Sequence, residues 1–232
     1  MKKETELDDG QSEPMTLEEY VNAYVPEWFR YNLLHQRGYA DRFDWTGPDR
    51  EDAKRVKERG IVIERLAAMF REGAPYIILE SCPAPLPDCL LVDKSGRKVG
   101  VEVTELVDKA AIERNKRTSY HWKEYSAPDF IGAVAERLEA KNERLRGARD
   151  VIAQRGISRN LIIMHCDEPD LRSRPKFCRD VLLTTRFAGC DEIDEAFLLL
   201  PCRRKRGVND TEAEFCQPIR IPLEIRDLSI RL

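Results

Sequence analysis

The stretch "PDCLLVDKSGRKVGVEVTEL", residues 87–106, decides the reading of this chain. Apolar runs on either side of "KSGR" predict two antiparallel strands joined by a turn, with Gly96 near its tip. In the second strand Val99, Val101 and Val103 share one face, and Lys98, Gly100, Glu102 and Thr104 share the other. Asp88 opens the first strand, and a turn at "KSGR" sets Glu102 roughly opposite it. Paired strands lie ~4.8 Å apart, so two carboxylates on one face of the hairpin can share an ion. Carboxylate oxygens are hard donors suited to Mg²⁺ or Mn²⁺, ions that keep waters and bind phosphate oxygens. Such an ion polarises a phosphoryl oxygen and readies a water for attack, which is the chemistry of phosphodiester hydrolysis. The bland alternative is solvated charge on an open hairpin face. Against it, Glu102 stands among valines in a strand that otherwise reads as core, where a carboxylate is costly unless paired or ion-bound. Gly100 leaves space beside it, as a closely approaching ligand requires.

The elements around the hairpin are read from periodicity and punctuation. Residues 1–14 are polar and are expected to form a disordered tail. Residues 15–49 read as a helical N-terminal extension, with Thr16 and Glu19 at capping-box spacing and Pro26 interrupting the helix. A further helix is predicted from about Arg50 to Arg71, with Ile63, Leu66, Ala67 and Phe70 at helical spacing. "YIILES" reads as a strand ahead of the hairpin. After a polar stretch, "SAPDFIGAVAERLEAKNERLRG" predicts a long helix, with Ser126 as cap and Pro128 in the first turn. "NLIIMHC" and "EAFLLLP" read as buried strands, "DEPDLRSRP" as a loop, and "QPIRIPLEI" as a last, edge strand. "KFCRDVLLTTRF" fits either a helix or a strand. The sum is an α/β domain, residues 50–232, with a mixed central sheet flanked by helices.

These residues carry a resemblance. Pro87-Asp88, followed fourteen positions after Asp88 by Glu102-Val103-Thr104, resembles the signature of the PD-(D/E)xK nuclease superfamily. The order of elements from about Gly60 to Cys166 is similar to that superfamily's common core. The resemblance implies a restriction-endonuclease-like core and a Mg²⁺-dependent nuclease acting on DNA or RNA. It implies that Asp88 and Glu102 are metal ligands, and that Glu64 matches the acidic residue often carried by the first core helix. An exposed helix glutamate is the plain alternative for Glu64.

Thr104 departs from the pattern, because the superfamily has lysine there and threonine supplies no positive charge. Either the site is degenerate and the fold serves binding, or a lysine comes from elsewhere in the chain. In the long helix Ile131, Val134, Leu138, Lys141 and Leu145 step by three and four, the buried stripe of an amphipathic helix. Lys141 occupies a place where leucine is expected, so its ammonium must snorkel or find a carboxylate. Lys141 is therefore the candidate displaced lysine, with Lys123 as the alternative. His121 beside Lys123 is a lesser candidate for binding phosphate or acting as a base, and His165, Asp167 and Glu168 after the "LIIM" strand are lesser candidates for contact with substrate or a second ion. "RRKR", Arg203–Arg206, is the one dense basic run and fits either a phosphate grip or a solvated loop.

Bulk composition limits the rest. The 232 residues include 39 basic and 42 acidic side chains, a net charge of −3, which argues against a dedicated nucleic-acid coat. The seven cysteines form no CxxC pair, so no zinc ribbon is signalled and reduced core thiols are expected. With no apolar run of ~20 residues and no signal-peptide segment at "MKKETELDDGQSEPM", no membrane partner is expected and a cytoplasmic address is the default. The oligomeric state stays open, a homodimer included. The expectation is thus a metal-dependent nuclease, with a catalytically degenerate nucleic-acid- or protein-binding module as the rival. A small-molecule hydrolase using cysteine or histidine has no coherent constellation behind it.

Overall fold

The structure is a computed structural model that describes residues 77–80 (backbone alone), 87–92, 95–108, 110, 123–166, 168–200 and 218–224. The expected tail, the N-terminal extension, the helix carrying Glu64, His121, Asp167 and Arg203–Arg206 lie outside the described residues. Within them the chain forms a mixed six-stranded sheet whose strands lie side by side in sequence order. Strand β1 (Ile77–Glu80) pairs antiparallel with β2 (Cys89–Val92), which pairs antiparallel with β3 (Lys98–Leu106). Parallel neighbours come next: β3 with β4 (Ile157–Cys166), and β4 with β5 (Glu195–Leu199). β6 (Ile219–Ile221) closes the sheet antiparallel to β5, at the edge expected for "QPIRIPLEI".

Parallel pairs need a crossover, and helices supply both. Helices α1 (Ala127–Gly147) and α2 (Arg149–Gln154) connect β3 to β4, and α3 (Pro169–Ser173) and α4 (Pro175–Leu183) connect β4 to β5. Ser126 caps α1: its hydroxyl accepts from the Asp129 N–H, and the Asp129 carboxylate accepts from the Ser126 N–H, so two backbone donors at the helix start are satisfied reciprocally. The loop expected at "DEPDLRSRP" contains the short helix α3, because Pro169 suits a first helical turn. "KFCRDVLLTTRF" resolves as α4. Cys178 and Leu182 are buried while Asp180, midway between them, is exposed, a pattern a helix gives and a strand does not, because on a strand all three would share one face.

One core cluster lies on the sheet face that carries Leu106, Ile162, Met164, Ala196, Leu198 and Ile219. Phe130, Val134, Leu138 and Leu145 of α1 and Cys178 and Leu182 of α4 pack onto it. The buried stripe of α1 differs from the expected one. Phe130 and Asn142 are among its buried members, whereas Ile131 and Lys141 flank it. A stripe stepping by four drifts around the helix, so Asn142 rather than Lys141 comes to lie beneath the helix axis. Asn142 Oδ1 accepts from the Glu192 N–H at 2.9 Å, which meets the cost of burying an amide. The opposite sheet face is buried too, at Val99, Val101, Val103, Leu161 and Ile163, so β3 and β4 are covered on both sides as parallel strands usually are.

Cys89, Cys166, Cys178 and Cys190 are buried free thiols. Burial raises the pKa of Cys166 and Cys190 and pushes Cys178 up to about 11, which removes the thiolate a cysteine nucleophile needs. No helix among the described residues is long and apolar enough to cross a membrane.

Candidate functional site

The β2–β3 hairpin sets the site. Its pairs run Cys89 to Val101, Leu90 to Gly100, Leu91 to Val99 and Val92 to Lys98, so the next step outward sets Asp88 against Glu102. Between Val92 and Lys98 the chain reverses through Gly96 at φ +79°, a left-handed conformation that favours glycine. The ladder stops at Cys89, and the Asp88 carboxylate continues it: Asp88 Oδ2 accepts from the Val103 N–H at 2.7 Å. That bond fixes the aspartate beside the strand carrying Glu102.

Gly100 has a different role from the one expected. A Cβ there would meet Ile157 Cγ2 at 3.3 Å, and Asn160 Oδ1 and Pro87 Cβ at 3.4 Å. The space beside Gly100 is therefore filled by the protein rather than held for a ligand. Pro87 lies against it, and the glycine thereby lets the chain bring Asp88 close to β3.

Glu102 stands on the sheet face covered by α1 and is 1% exposed. Lys141 reaches it from that helix: Nζ donates to Glu102 Oε2 at 2.6 Å and lies 3.8 Å from Asp88 Oδ2. The Lys141 side chain is 11% exposed and that of Asp88 12%. The structure thus brings together three of the four sequence candidates, Asp88, Glu102 and Lys141, although the glutamate and the lysine are 39 positions apart in the chain. Arg144, one turn further along α1, places Nη1 3.5 Å from the same Glu102 Oε2. Among the described residues the other oxygen, Glu102 Oε1, is buried without a hydrogen-bond partner. The Glu102 pKa is raised above its ordinary range, by burial first and by Asp88 second; Lys141 and Arg144 pull it down and do not offset the rise.

Sequence reasoning missed Arg144. Its signal was available in Arg137, Lys141 and Arg144, basic residues three and four apart along one edge of α1. Arg137 anchors that edge, its Nε donating to the Glu105 carbonyl at 3.0 Å and its Nη2 to the Val107 carbonyl at 3.3 Å. Thr104 lies on the Glu102 face of β3, two residues on, and is half-buried.

The remaining candidates stand apart. Lys123, just ahead of α1, lies over the Tyr125 ring and pairs at 3.7 Å with Asp129 in the first turn of that helix. That turn is about 18 Å along the helix from Lys141 at ~1.5 Å per residue. His165 is buried in β4 opposite Glu105, on the sheet face away from Glu102. Glu168 is buried at the start of α3, where its carboxylate accepts from the Asp108 N–H and ties the end of β3 to that helix. A cavity of about 530 Å³ lies near the start of α1. Its polar groups are joined to one another, with Asp170 accepting from the Tyr125 N–H and Arg174 donating to the Tyr125 carbonyl.

The donor set at the hairpin fits a hard divalent ion. It offers two carboxylates, one of them with a buried oxygen that has no hydrogen-bond partner among the described residues. Among the described residues no group of three or more His, Cys, Asp or Glu side chains gathers, so two protein ligands are what these residues supply. Mg²⁺ commonly takes one or two carboxylates and completes its shell with water and substrate phosphate. Comparison with known proteins adds nothing to this geometry: no family model, no curated protein and no solved structure matches the chain.

Proposed function

We propose that this protein is a metal-dependent nuclease with a restriction-endonuclease-like core, hydrolysing phosphodiester bonds of DNA or RNA. One observation carries the reading: an ammonium from α1, Lys141 Nζ, meets both hairpin carboxylates in a nearly closed site. Two carboxylates and one lysine are the groups this hydrolysis calls for, and Thr104 explains why the lysine has to arrive from a helix. The strand order and the helical crossover from β3 to β4 agree with the resemblance of the hairpin motif.

In this reading Asp88 and Glu102 hold Mg²⁺ or Mn²⁺, with Glu64 a further acidic candidate. The ion, when bound, would polarise the phosphoryl oxygen and acidify a water. Asp88 is oriented by its bond from the Val103 N–H, so its second oxygen faces a fixed direction. Glu102 offers Oε1, which has no hydrogen-bond partner among the described residues. Lys141 holds three ammonium protons in a low-dielectric site, where one can donate to the negative charge that grows on the reacting phosphate.

The rival reading is a catalytically degenerate module that keeps the cluster for structure. Its support is the same 2.6 Å pair, since a buried lysine and glutamate can simply neutralise each other. Titration calorimetry with Mg²⁺ on wild type, Asp88→Asn and Glu102→Gln separates the two, together with cleavage of single- and double-stranded DNA and RNA. The nuclease reading expects Mg²⁺ affinity to fall at least tenfold in both folded variants, with cleavage abolished. Equal ion binding in all three proteins, or a wild type without cleavage, rejects it.

A further inference from the structure

We propose that Arg144 binds a phosphate group of the substrate backbone adjacent to the reacting one, which makes the preferred substrate a polynucleotide rather than a mononucleotide ester. The proposal rests on the nuclease reading above. Arg144 comes three residues after Lys141, so both side chains leave the same edge of α1. Both cations address one atom, Glu102 Oε2: Lys141 at 2.6 Å and Arg144 at 3.5 Å. The two partners are unequal. Lys141 is 11% exposed, and the Arg144 side chain is 44% exposed. The lysine lies inside, and the guanidinium is the outer, longer contact at the rim.

Charge governs how the cluster responds to an arriving ion. With all four groups ionised, Asp88 and Glu102 balance Lys141 and Arg144. Among these four groups, a divalent ion on the two carboxylates therefore leaves an excess of two positive charges. The ion competes with Arg144 for Glu102 and repels the guanidinium toward solvent. Each phosphodiester carries one negative charge, so two successive phosphates restore the balance. Lys141 is placed deep enough to meet the reacting group. Arg144, at the rim, meets the chain where it enters or leaves. Its planar fork of N–H donors matches two phosphate oxygens at once, which a lysine ammonium cannot do.

The test uses Arg144→Gln and Arg144→Lys in the full chain. Binding of phosphorothioate oligonucleotides, as DNA and as RNA, is measured by fluorescence anisotropy with Ca²⁺ over a series of salt concentrations. Arg144→Gln is expected to weaken oligonucleotide binding about tenfold and to lower the slope of log K against log salt by about one. Arg144→Lys, which keeps the charge and lacks the fork, is expected to recover the slope and only part of the affinity. Mg²⁺ affinity by calorimetry is expected to stay at or above the wild-type value in both, because a neighbouring cation has been removed or kept. Unchanged oligonucleotide affinity and salt slope in Arg144→Gln overturn the proposal while leaving the nuclease reading intact, provided wild type binds Mg²⁺ and cleaves. A loss of Mg²⁺ affinity together with a loss of thermal stability also overturns it, since Arg144 would then serve Glu102 alone. A wild type that neither binds Mg²⁺ nor cleaves removes both.

Discussion

Lys141→Met removes the ammonium that touches both carboxylates while keeping a side chain of similar length and apolar stem. Leaving the partner of a buried ion pair uncompensated costs ~3–5 kcal/mol. Two features of this site reduce that cost. Arg144 Nη1 remains 3.5 Å from Glu102 Oε2 as a counter-charge. Burial also favours the protonated form of Glu102, so the carboxyl can take up a proton at ~1.4 kcal/mol per unit of pKa below the working pH. The expected loss of stability at neutral pH is therefore about 1–3 kcal/mol, on the order of 2–12 °C in Tm for a chain of this size. The loss should shrink as the pH is lowered, because Glu102 is then neutral in more of the molecules. Cleavage responds differently. Removing a positioned donor to transition-state charge costs about 10²–10³ in rate. Thermal unfolding at two pH values and single-turnover cleavage with Mg²⁺ and Mn²⁺, on one preparation, separate the effects. A folded Lys141→Met protein that cleaves at the wild-type rate takes Lys141 out of the mechanism. A stability loss that does not shrink on acidification refutes the account of Glu102.

The same geometry sets three further outcomes. In Thr104→Lys a second ammonium enters the Glu102 face of β3 near Lys141, so stability and cleavage are both expected to fall; a clear gain in Mn²⁺-dependent cleavage argues against a displaced lysine. For pH dependence, the folded-state pKa of Glu102 lies above its ordinary 4.5, so the folded state holds the proton more tightly than the unfolded chain. The stability from this group is therefore present below about pH 4.5 and is lost as pH rises through the folded-state value, and urea titrations should show this decline in wild type and its absence in Glu102→Gln. Mg²⁺ binding should run the other way and strengthen over the same pH range, because the ion competes with that proton for the carboxylate.

Much of the local structure was legible because it rests on neighbours in sequence. Alternation in "KVGVEVTEL" and a glycine in "KSGR" fix the hairpin register, and the register alone sets Asp88 opposite Glu102. The Ser126 cap and the spacing of Val134, Leu138 and Leu145 define α1, and the apolar run "LIIM" marks a strand covered on both faces. Ambiguity remained where short-range signals were balanced. "KFCRDVLLTTRF" has both β-branched residues and helical spacing, and its outcome as α4 depends on the packing of Cys178 and Leu182 against the core. Gly100 read as room for a ligand because the sequence does not show that Pro87 and Ile157 converge there.

The sequence by itself determined the hairpin, the pair of carboxylates and the anomaly of a lysine near an apolar stripe. The tertiary structure decided what that lysine meets. The position of Lys141 over Glu102 depends on how α1 lies across β3 and β4, and that is set by the fit of Phe130, Val134, Leu138 and Leu145 against strands distant in the chain. The packing also chose Asn142 over Lys141 for the deepest position and brought Arg144 to the rim. A rotation of one residue along a helix turns a side chain by about 100°, so a stripe read from spacing alone locates the face but not which member of it touches the site.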